Sequence, residues 1–155
     1  MGAAVEALGD EQFREVQTKA QRNEELSHRI QIAKQHYKRL GPKSLLGWDY
    51  GRYVFLCRWG YFVGYITEEE AWHRIMPVAA KLQKTFDSWK DLGENYLIGR
   101  EFWSLSQTKR DGQLYRDAFQ RLLSDPASPW NRYPWNLDLG TTGIRADKPG
   151  FVKGD

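Results

Sequence analysis

The sequence has almost no cysteine and no long hydrophobic run. Cys57 is the single cysteine among 155 residues, so no disulfide can form within the chain, which favours a protein of the reducing cytoplasm. The longest apolar stretch, around residues 53–66, is interrupted by Arg58 and two glycines, and it is too short and too polar to cross a bilayer. The first residues do not resemble a signal peptide either. We therefore expect a cytoplasmic protein with no membrane partner.

An excess of charge of one sign is also missing. Lysine and arginine total 23, aspartate and glutamate total 20, and both signs are spread along the whole chain. Binding to nucleic acid through its phosphates needs a one-sided basic stripe, so we expect no nucleic-acid partner despite a pI near 9.0. Apolar residues make up 41% of the chain, which is enough for the core of one ordinary domain.

Aromatic residues, in contrast, are abundant, with 7 tryptophans, 8 tyrosines and 7 phenylalanines. Many recur at intervals of three and four residues, which is the spacing of one face of an α-helix. The spacing predicts an all-α protein, a compact bundle of about five helices. Five of the tryptophans are expected to point into its core, namely Trp48, Trp59, Trp72, Trp89 and Trp103.

Start and stop signals delimit the helices. Asp10 is a suitable N-cap for a long first helix, and Thr67 with Glu70 forms a capping box at the start of the third. Pro77 predicts a kink in that third helix, unless the helix restarts there, and Gly93 predicts its end. The predicted helices are residues 10–40, 44–64, 67–93, 94–106 and 111–123.

Two of these helices have distinctive faces. In the second, large apolar side chains from Trp48 to Val63 fall on one side, while glycines four residues apart let another helix come close. In the last, the spacing of Leu114, Ala118 and Leu122 predicts that all three point inward.

The pattern changes after residue 124. Three prolines between residues 126 and 134 forbid a regular helix. The apolar residues Trp130, Tyr133, Trp135 and Leu137 therefore predict an extended Trp/Pro-rich C-terminal arm that lies on the helical body. The expected organisation is a disordered N-terminus (1–9), a single helical domain (10–139) and a flexible tail (140–155).

Several short motifs resemble a known family. They are Gly47-Trp48-Asp49-Tyr50-Gly51-Arg52, Arg58-Trp59-Gly60-Tyr61, Gly64-Tyr65-Ile66, Glu69-Glu70-Ala71-Trp72, Ser88-Trp89, Gly93-Glu94-Asn95-Tyr96, Gly99-Arg100 and Pro134-Trp135. In this order, over residues 45–139, they resemble the bacterial family of unknown function numbered 1266. The resemblance implies a small, mainly helical, soluble bacterial domain, and it supplies no activity, cofactor or catalytic residue.

Charged side chains stand between aromatic ones at several positions, which suits a charged pocket with aromatic walls. Asp49, Arg52, Glu69 and Arg100 could line such a pocket and hold a carboxylate or phosphate group. The same residues also have structural explanations, an ion pair of Asp49 with Arg52 and a helix start in the acidic run 68–70. The other residues of this candidate pocket are Trp48, Trp72, Ser88, Trp89 and Tyr96.

Two Glu-x-x-His motifs are weak signals of a dinuclear metal site. Such pairs on two helices, with a glutamate from each of two others, build di-iron sites in four-helix bundles. Here Glu70 already has a capping role, and short motifs of this kind arise by chance. We therefore predict no metal and no cofactor. The motif residues are Glu25 with His28 and Glu70 with His73, and Glu94 or Glu101 could complete the site.

No catalytic constellation is recognisable, so the sequence favours a non-enzymatic module that binds another protein. Trp130 and Trp135 of the predicted arm could fill a groove in this molecule or in a partner. The alternative is an enzyme, or a binder of small molecules or anions, that uses the charged pocket. A di-metal carboxylate bundle is the more remote alternative.

Overall fold

The structure is a computed structural model that describes residues 12, 14–16, 18 and 23–140. These residues form no strand, which confirms the predicted all-α class. Most of them lie in helices that pack against one another. The helices are α1 (Glu24–Leu40), α2 (Leu46–Phe62), α3 (Glu68–Thr85), α4 (Trp89–Trp103), α5 (Leu105–Ser124) and the one-turn α6 (Pro129–Arg132), with a 3₁₀ turn at Gly41–Lys43.

Helix α1 begins later than the sequence predicts. Asn23 has extended backbone dihedrals, and its side chain accepts a hydrogen bond from the amide of Leu26 at 3.1 Å. This N-cap satisfies one of the free N–H groups at the start of α1. The predicted helix over residues 10–40 is therefore interrupted at Asn23, although residues 12, 14–16 and 18 are helical as predicted. Outside the described residues lie Asp10, the predicted disordered residues 1–9 and residues 141–155 of the predicted tail.

The predicted third helix is in fact two helices. Its start is confirmed, because the Thr67 hydroxyl accepts a hydrogen bond from the Glu70 amide and the Glu70 carboxylate accepts one from the Thr67 amide. Helix α3 ends where the chain becomes extended at the buried Phe86, and Ser88 then caps α4. Gly93 lies inside α4, so the predicted helix end at this residue is wrong.

Helix α5 begins earlier than predicted because two side chains cap it. The Ser104 hydroxyl accepts a hydrogen bond from the Gln107 amide at 3.4 Å. The Glu25 carboxylate reaches across from α1 and accepts one from the Leu105 amide at 3.0 Å. Both contacts satisfy free N–H groups at a helix N-terminus, and the helix therefore starts at Leu105 and not at Asp111.

Helices α2 and α4 approach each other closely because small residues separate their backbones. Gly47 and Gly51 of α2 lie against Asn95 and Tyr96 of α4, which confirms that these glycines admit a close neighbour. Gly99 of α4 lies against Trp48, and a Cβ atom at Gly99 would come within 2.3 Å of the Trp48 Cβ.

Asn95 joins the same two helices through hydrogen bonds. Its side chain accepts one from the Gly47 amide and donates one to the Ser44 carbonyl, both at 2.8 Å. Because α2 has no side-chain cap of its own, Asn95 supplies from α4 an acceptor that the N-terminus of α2 needs. Asn95 is buried, so its bond to the Gly47 amide is shielded from water.

Helix α2 does not bury the face that carries its large side chains. The helix is apolar on nearly all sides, so the positions of its large residues do not identify the buried face. The glycine side packs against α4, and another side is in solvent, where Leu56 is 62% and Trp59 51% exposed. The inward positions expected for Trp59, Trp103 and Leu114 are wrong, since all three are exposed. Trp48, Trp72 and Trp89 are half-buried.

The C-terminal arm lies on the helical body, as predicted, although part of it forms the one-turn helix α6. The Trp89 indole donates a hydrogen bond to the Tyr133 carbonyl, and the Trp135 indole donates one to the Phe86 carbonyl, both at 2.9 Å. The Trp130 ring stacks on that of Trp89, with centroids 5.9 Å apart. Trp130 and Trp135 therefore pack within this molecule.

We expect Gly99→Ala to lower the free energy of unfolding by about 2–3 kcal/mol, because the new methyl group would overlap the Trp48 Cβ and push α2 from α4. Gly112→Ala in α5 is the matched control, since its Cβ would meet only the side chains of Arg116 and Thr108, at 3.3 and 3.5 Å. Alanine's higher helix propensity should raise the stability of this control by up to about 1 kcal/mol. Urea denaturation measures both values, and equal stabilities would contradict the close contact.

Candidate functional site

The structure distributes the predicted site residues over separate places. One group lies where α2 and α4 meet, a second lies at the start of α4 under the arm, and the rest are near the surface. The first group consists of Trp48, Arg52, Tyr96 and Arg100, and the second consists of Ser88 and Trp89. Of the remaining residues, Glu69 and Trp72 lie at the start of α3, and Asp49 is exposed on α2.

The first group centres on the ring of Trp48. The Tyr96 ring lies 5.1 Å from it and the Trp103 ring 6.0 Å, measured between ring centroids. The Arg52 guanidinium lies over both tryptophans, 5.4 Å from the Trp48 centroid and 5.5 Å from the Trp103 centroid. These cation–π contacts hold the guanidinium at the edge of the aromatic cluster. The sequence does not single out Trp103 for this group.

Arg100 is a buried cation with few partners. It is only 3% exposed, and its guanidinium carbon lies 3.7 Å from the centre of the Tyr115 ring. Arg100 forms an ion pair with Asp111, whose oxygen lies 3.7 Å from Nη2, although this distance is too long for a hydrogen bond. Asp111 instead accepts hydrogen bonds from the exposed Arg110 at 2.9–3.1 Å. The buried Nη1 of Arg100 has no hydrogen-bond partner in the described part of the chain.

Tyr96 lies in the electrostatic field of both arginines. Burial raises the pKa of its hydroxyl above the usual value near 10, and Tyr115 adds to the increase. The charges of Arg100 and Arg52 act in the opposite direction but do not outweigh burial. The Tyr96 hydroxyl is therefore protonated at neutral pH and can donate a hydrogen bond beside two positive charges, which suits an anion.

Asp49 and Glu69 do not join this group. Asp49 is exposed, and within the described ranges it forms no ion pair with Arg52, whose guanidinium lies over aromatic rings instead. Glu69 lies in a surface depression at the start of α3. The four-residue charged pocket is therefore not assembled as the sequence suggests, although Arg52 and Arg100 both act on Tyr96.

Ser88, Trp89 and Trp72 make contacts that organise the helices. The Ser88 hydroxyl accepts a hydrogen bond from the Asp91 amide at 3.1 Å and so caps α4. Trp89 holds the arm, as described above. The Trp72 indole donates a hydrogen bond to the Glu68 carboxylate at 3.2 Å, one turn earlier in α3. None of these contacts brings the three residues to the arginine group.

The structure does not assemble the dinuclear metal site. Glu25 caps α5, and Nε2 of His28 lies 2.6 Å from the Glu101 carbonyl oxygen. Glu70 is held in its capping box, with His73 exposed beside it. Among the residues with a described position, no three His, Cys, Asp or Glu side chains are placed to hold a metal ion.

A cavity of about 250 Å³ adjoins the arginine group. Its walls come from α2, α3, α4, α5 and the arm, and its lining is almost wholly apolar. Tyr96 and Tyr115 belong to both the cavity wall and the arginine group. The sequence carries a signal for Tyr115, because it lies at helical spacing with Ala118, Phe119 and Leu122. Leu114 lies next to this stripe and is exposed.

The exposed side of α2 is a second candidate site. Phe55, Leu56, Trp59 and Val63, which we name the α2 face, are all more than half exposed. Their spacing of three and four residues places them side by side, and the rings of Phe55 and Trp59 meet edge to face at 5.9 Å. Single exposed apolar side chains are ordinary, whereas a contiguous group is typical of an interaction surface.

The fold and these sites define a small all-α domain with an aromatic–arginine cluster and a tryptophan-anchored arm. The family model described as "Protein of unknown function (DUF1266)" matches residues 2–135, and the chain belongs to this family. The match extends further toward the N-terminus than residues 45–139, over which the motifs resemble the family.

One relative is the "Uncharacterized protein YbeU" of Escherichia coli (strain K12), which is 28% identical over 121 residues. The alignment covers 73% of this chain and 52% of YbeU, so the chain spans about half the length of this relative. No solved structure is detectably similar to the chain. Within residues 23–140, none of the helices has the length and apolar character that crossing a membrane requires.

As the pH rises from about 9.5 to 11, we expect the free energy of unfolding to fall more steeply in the wild type than in Tyr96→Phe. The pKa of Tyr96 is raised in the folded state, so rising pH ionises this residue first in the unfolded chain and stabilises that state. Tyr65→Phe is the control, because Tyr65 is 87% exposed. Urea midpoints across this range test the difference, and equal slopes for the wild type and Tyr96→Phe would contradict it.

Proposed function

We propose that the protein is a non-enzymatic, cytoplasmic interaction module whose α2 face binds a helical segment of another protein. The observation that carries this proposal is the exposure of Leu56 and Trp59 side by side on one helix. Exposed apolar area of this kind is unfavourable in water, and its burial against a partner is the main favourable contribution to association. The single, buried Cys57 is consistent with a reducing compartment.

The α2 face has the layout of a surface that accepts a helix. Its residues span about 12 Å, from Phe55 to Val63, the C-cap residue of α2. Anchors three and four residues apart are the pattern by which an amphipathic helix and an apolar groove or face recognise each other. Trp59 is the strongest anchor, because tryptophan is the residue most enriched among those that dominate binding energy.

Basic side chains border the α2 face and indicate the charge of the partner. Arg52 lies one turn before Leu56 and is held over Trp48 and Trp103. Arg58 lies within the same stretch, with its guanidinium 5.9 Å from the centre of the Phe62 ring. Asp49 is the only acidic residue of α2, so complementary charge requires acidic residues beside the apolar anchors of the partner segment.

A photo-crosslinking residue in place of Leu56 should capture the partner in living cells, because it would lie inside the interface. The same residue in place of Leu114 should not, although Leu114 on α5 is equally exposed at 62%. Mass spectrometry of the product identifies the partner. Equal yields of crosslinked product at the two positions would contradict the proposal. A crosslink between two copies of this chain would assign the α2 face to self-association instead.

Trp59→Glu should lower the yield of the Leu56 crosslink by at least about tenfold, since it would bury an unpaired carboxylate in the interface. Leu114→Glu makes the same change in charge outside the α2 face and should leave the yield unchanged. Both positions are exposed, so thermal unfolding should show that each variant folds. An unchanged crosslink in Trp59→Glu would exclude the α2 face as the binding surface.

A further inference from the structure

A second cavity lies between the C-terminal arm and the helices on which the arm lies. Its volume is about 300 Å³, and its wall combines arm residues such as Trp130 and Trp135 with Ala79 and Gln83 of α3 and Trp89 of α4. We name it the arm cavity. Most of its lining residues belong to the arm, so the arm cavity has its shape only while the arm is docked on the helices.

The wall of the arm cavity offers a ligand few polar contacts. None of its lining residues in the described part of the chain is charged. The Gln83 side-chain amide donates hydrogen bonds to the carbonyls of Trp135 and Leu137, at 2.8 and 2.9 Å. The indole N–H groups of Trp89 and Trp135 also donate to backbone carbonyls. A charged ligand would lose its hydration here without gaining an opposite charge, so the wall favours a neutral ligand.

Three tryptophan rings of the wall have defined orientations. The Trp135 ring stands at 87° to the Trp89 ring, with centroids 4.9 Å apart, whereas the Trp130 ring is nearly parallel to the Trp89 ring. Aromatic rings attract one another in edge-to-face and offset-stacked arrangements. A planar aromatic ligand beside perpendicular rings can present its face to one ring and its edge to the other. An aliphatic ligand of equal size lacks these contacts.

The volume of the arm cavity limits the size of the ligand. At about 300 Å³, it is about twice the volume of an apolar cavity of about 150 Å³ that binds benzene. It also lies at the lower end of the range of small-molecule sites, which is about 300–1,000 Å³. A single ring would leave part of the wall without contacts, whereas two fused rings are consistent with this volume.

We propose that the arm cavity binds a neutral bicyclic aromatic molecule against Trp89 and Trp135, and that the bound molecule stabilises the docked arm. The second part follows from the first, because a ligand that binds only the docked state shifts the equilibrium toward that state. The arm cavity shares no residue with the α2 face, so this proposal and the proposed function succeed or fail independently.

An NMR titration with benzofuran tests the site, because benzofuran is neutral, bicyclic and without N–H or O–H donors. We expect saturable shifts of the Trp89 and Trp135 indole signals and none of the exposed Trp59. 1-Octanol, with the same number of non-hydrogen atoms, should bind at least about threefold more weakly, and benzofuran-2-carboxylate at least about tenfold more weakly. Absent benzofuran binding, or equal affinity for either comparison compound, would overturn the proposal.

Ala79→Leu should weaken benzofuran binding at least about tenfold, because the larger side chain would fill space in the wall of the arm cavity. Ala118→Leu is the matched control, since Ala118 lines the neighbouring cavity of about 250 Å³ and not the arm cavity. Thermal unfolding should show that both variants fold. Full affinity in folded Ala79→Leu, or a loss in Ala118→Leu alone, would overturn the proposal. If Ala79→Leu does not fold, the signals that shift in the wild type still locate the ligand.

Hydrogen exchange of the indole N–H groups tests the effect on the arm. The Trp89 and Trp135 indoles are hydrogen-bonded across the contact between the arm and the helices, so their exchange requires the arm to undock locally. Benzofuran at about five times its Kd should slow the exchange of both by about sixfold. The exposed Trp59 indole is the control and should exchange at an unchanged rate. Binding without slower exchange at Trp89 and Trp135 would overturn the stabilisation of the arm.

Discussion

The close approach of α2 and α4 determines most of what the rest of the molecule can do. Gly99 lets the Trp48 side chain lie directly on the backbone of α4, and Asn95 supplies the hydrogen bonds that hold the N-terminus of α2 beside it. With its glycine side and Trp48 against α4, α2 turns Leu56 and Trp59 away from the core. The α2 face and the position of Arg52 over the Trp48 ring are both consequences of this one contact.

Two features of the molecule are locally unfavourable, and they have different physical origins. The α2 face leaves apolar area in water, which lowers solubility but costs the fold little. The Nη1 group of Arg100 is buried and has no hydrogen-bond partner in the described part of the chain, which costs stability directly. Locally unfavourable features of this kind are found mostly at the functional sites of proteins. The two features are separate on the molecule, because Leu56 and Trp59 are exposed whereas Arg100 is buried.

The sequence predicts those parts of the fold that depend on neighbours along the chain. Thr67 and Glu70 lie three residues apart, so their capping box can be recognised from the sequence alone. The cap of α2 by Asn95 and the cap of α5 by Glu25 join residues far apart in the sequence, and no local pattern reveals them. The sequence does not identify the buried face of α2 for a related reason, because a helix that is apolar all round has no periodicity that marks one side.

The candidate site was predictable to the same limited degree. Tyr96 and Arg100 belong to one face of α4 by spacing alone, whereas the contact of Arg100 with Tyr115 depends on how α5 packs. The C-terminal arm contributes to the cavity at the opposite end of α4. Trp130 lines the cavity beside Gly93, about two helical turns, or roughly 10 Å, from Arg100 along α4. The docking of the arm on Trp89 thus places Trp130 in the wall of a cavity whose lining is almost wholly apolar.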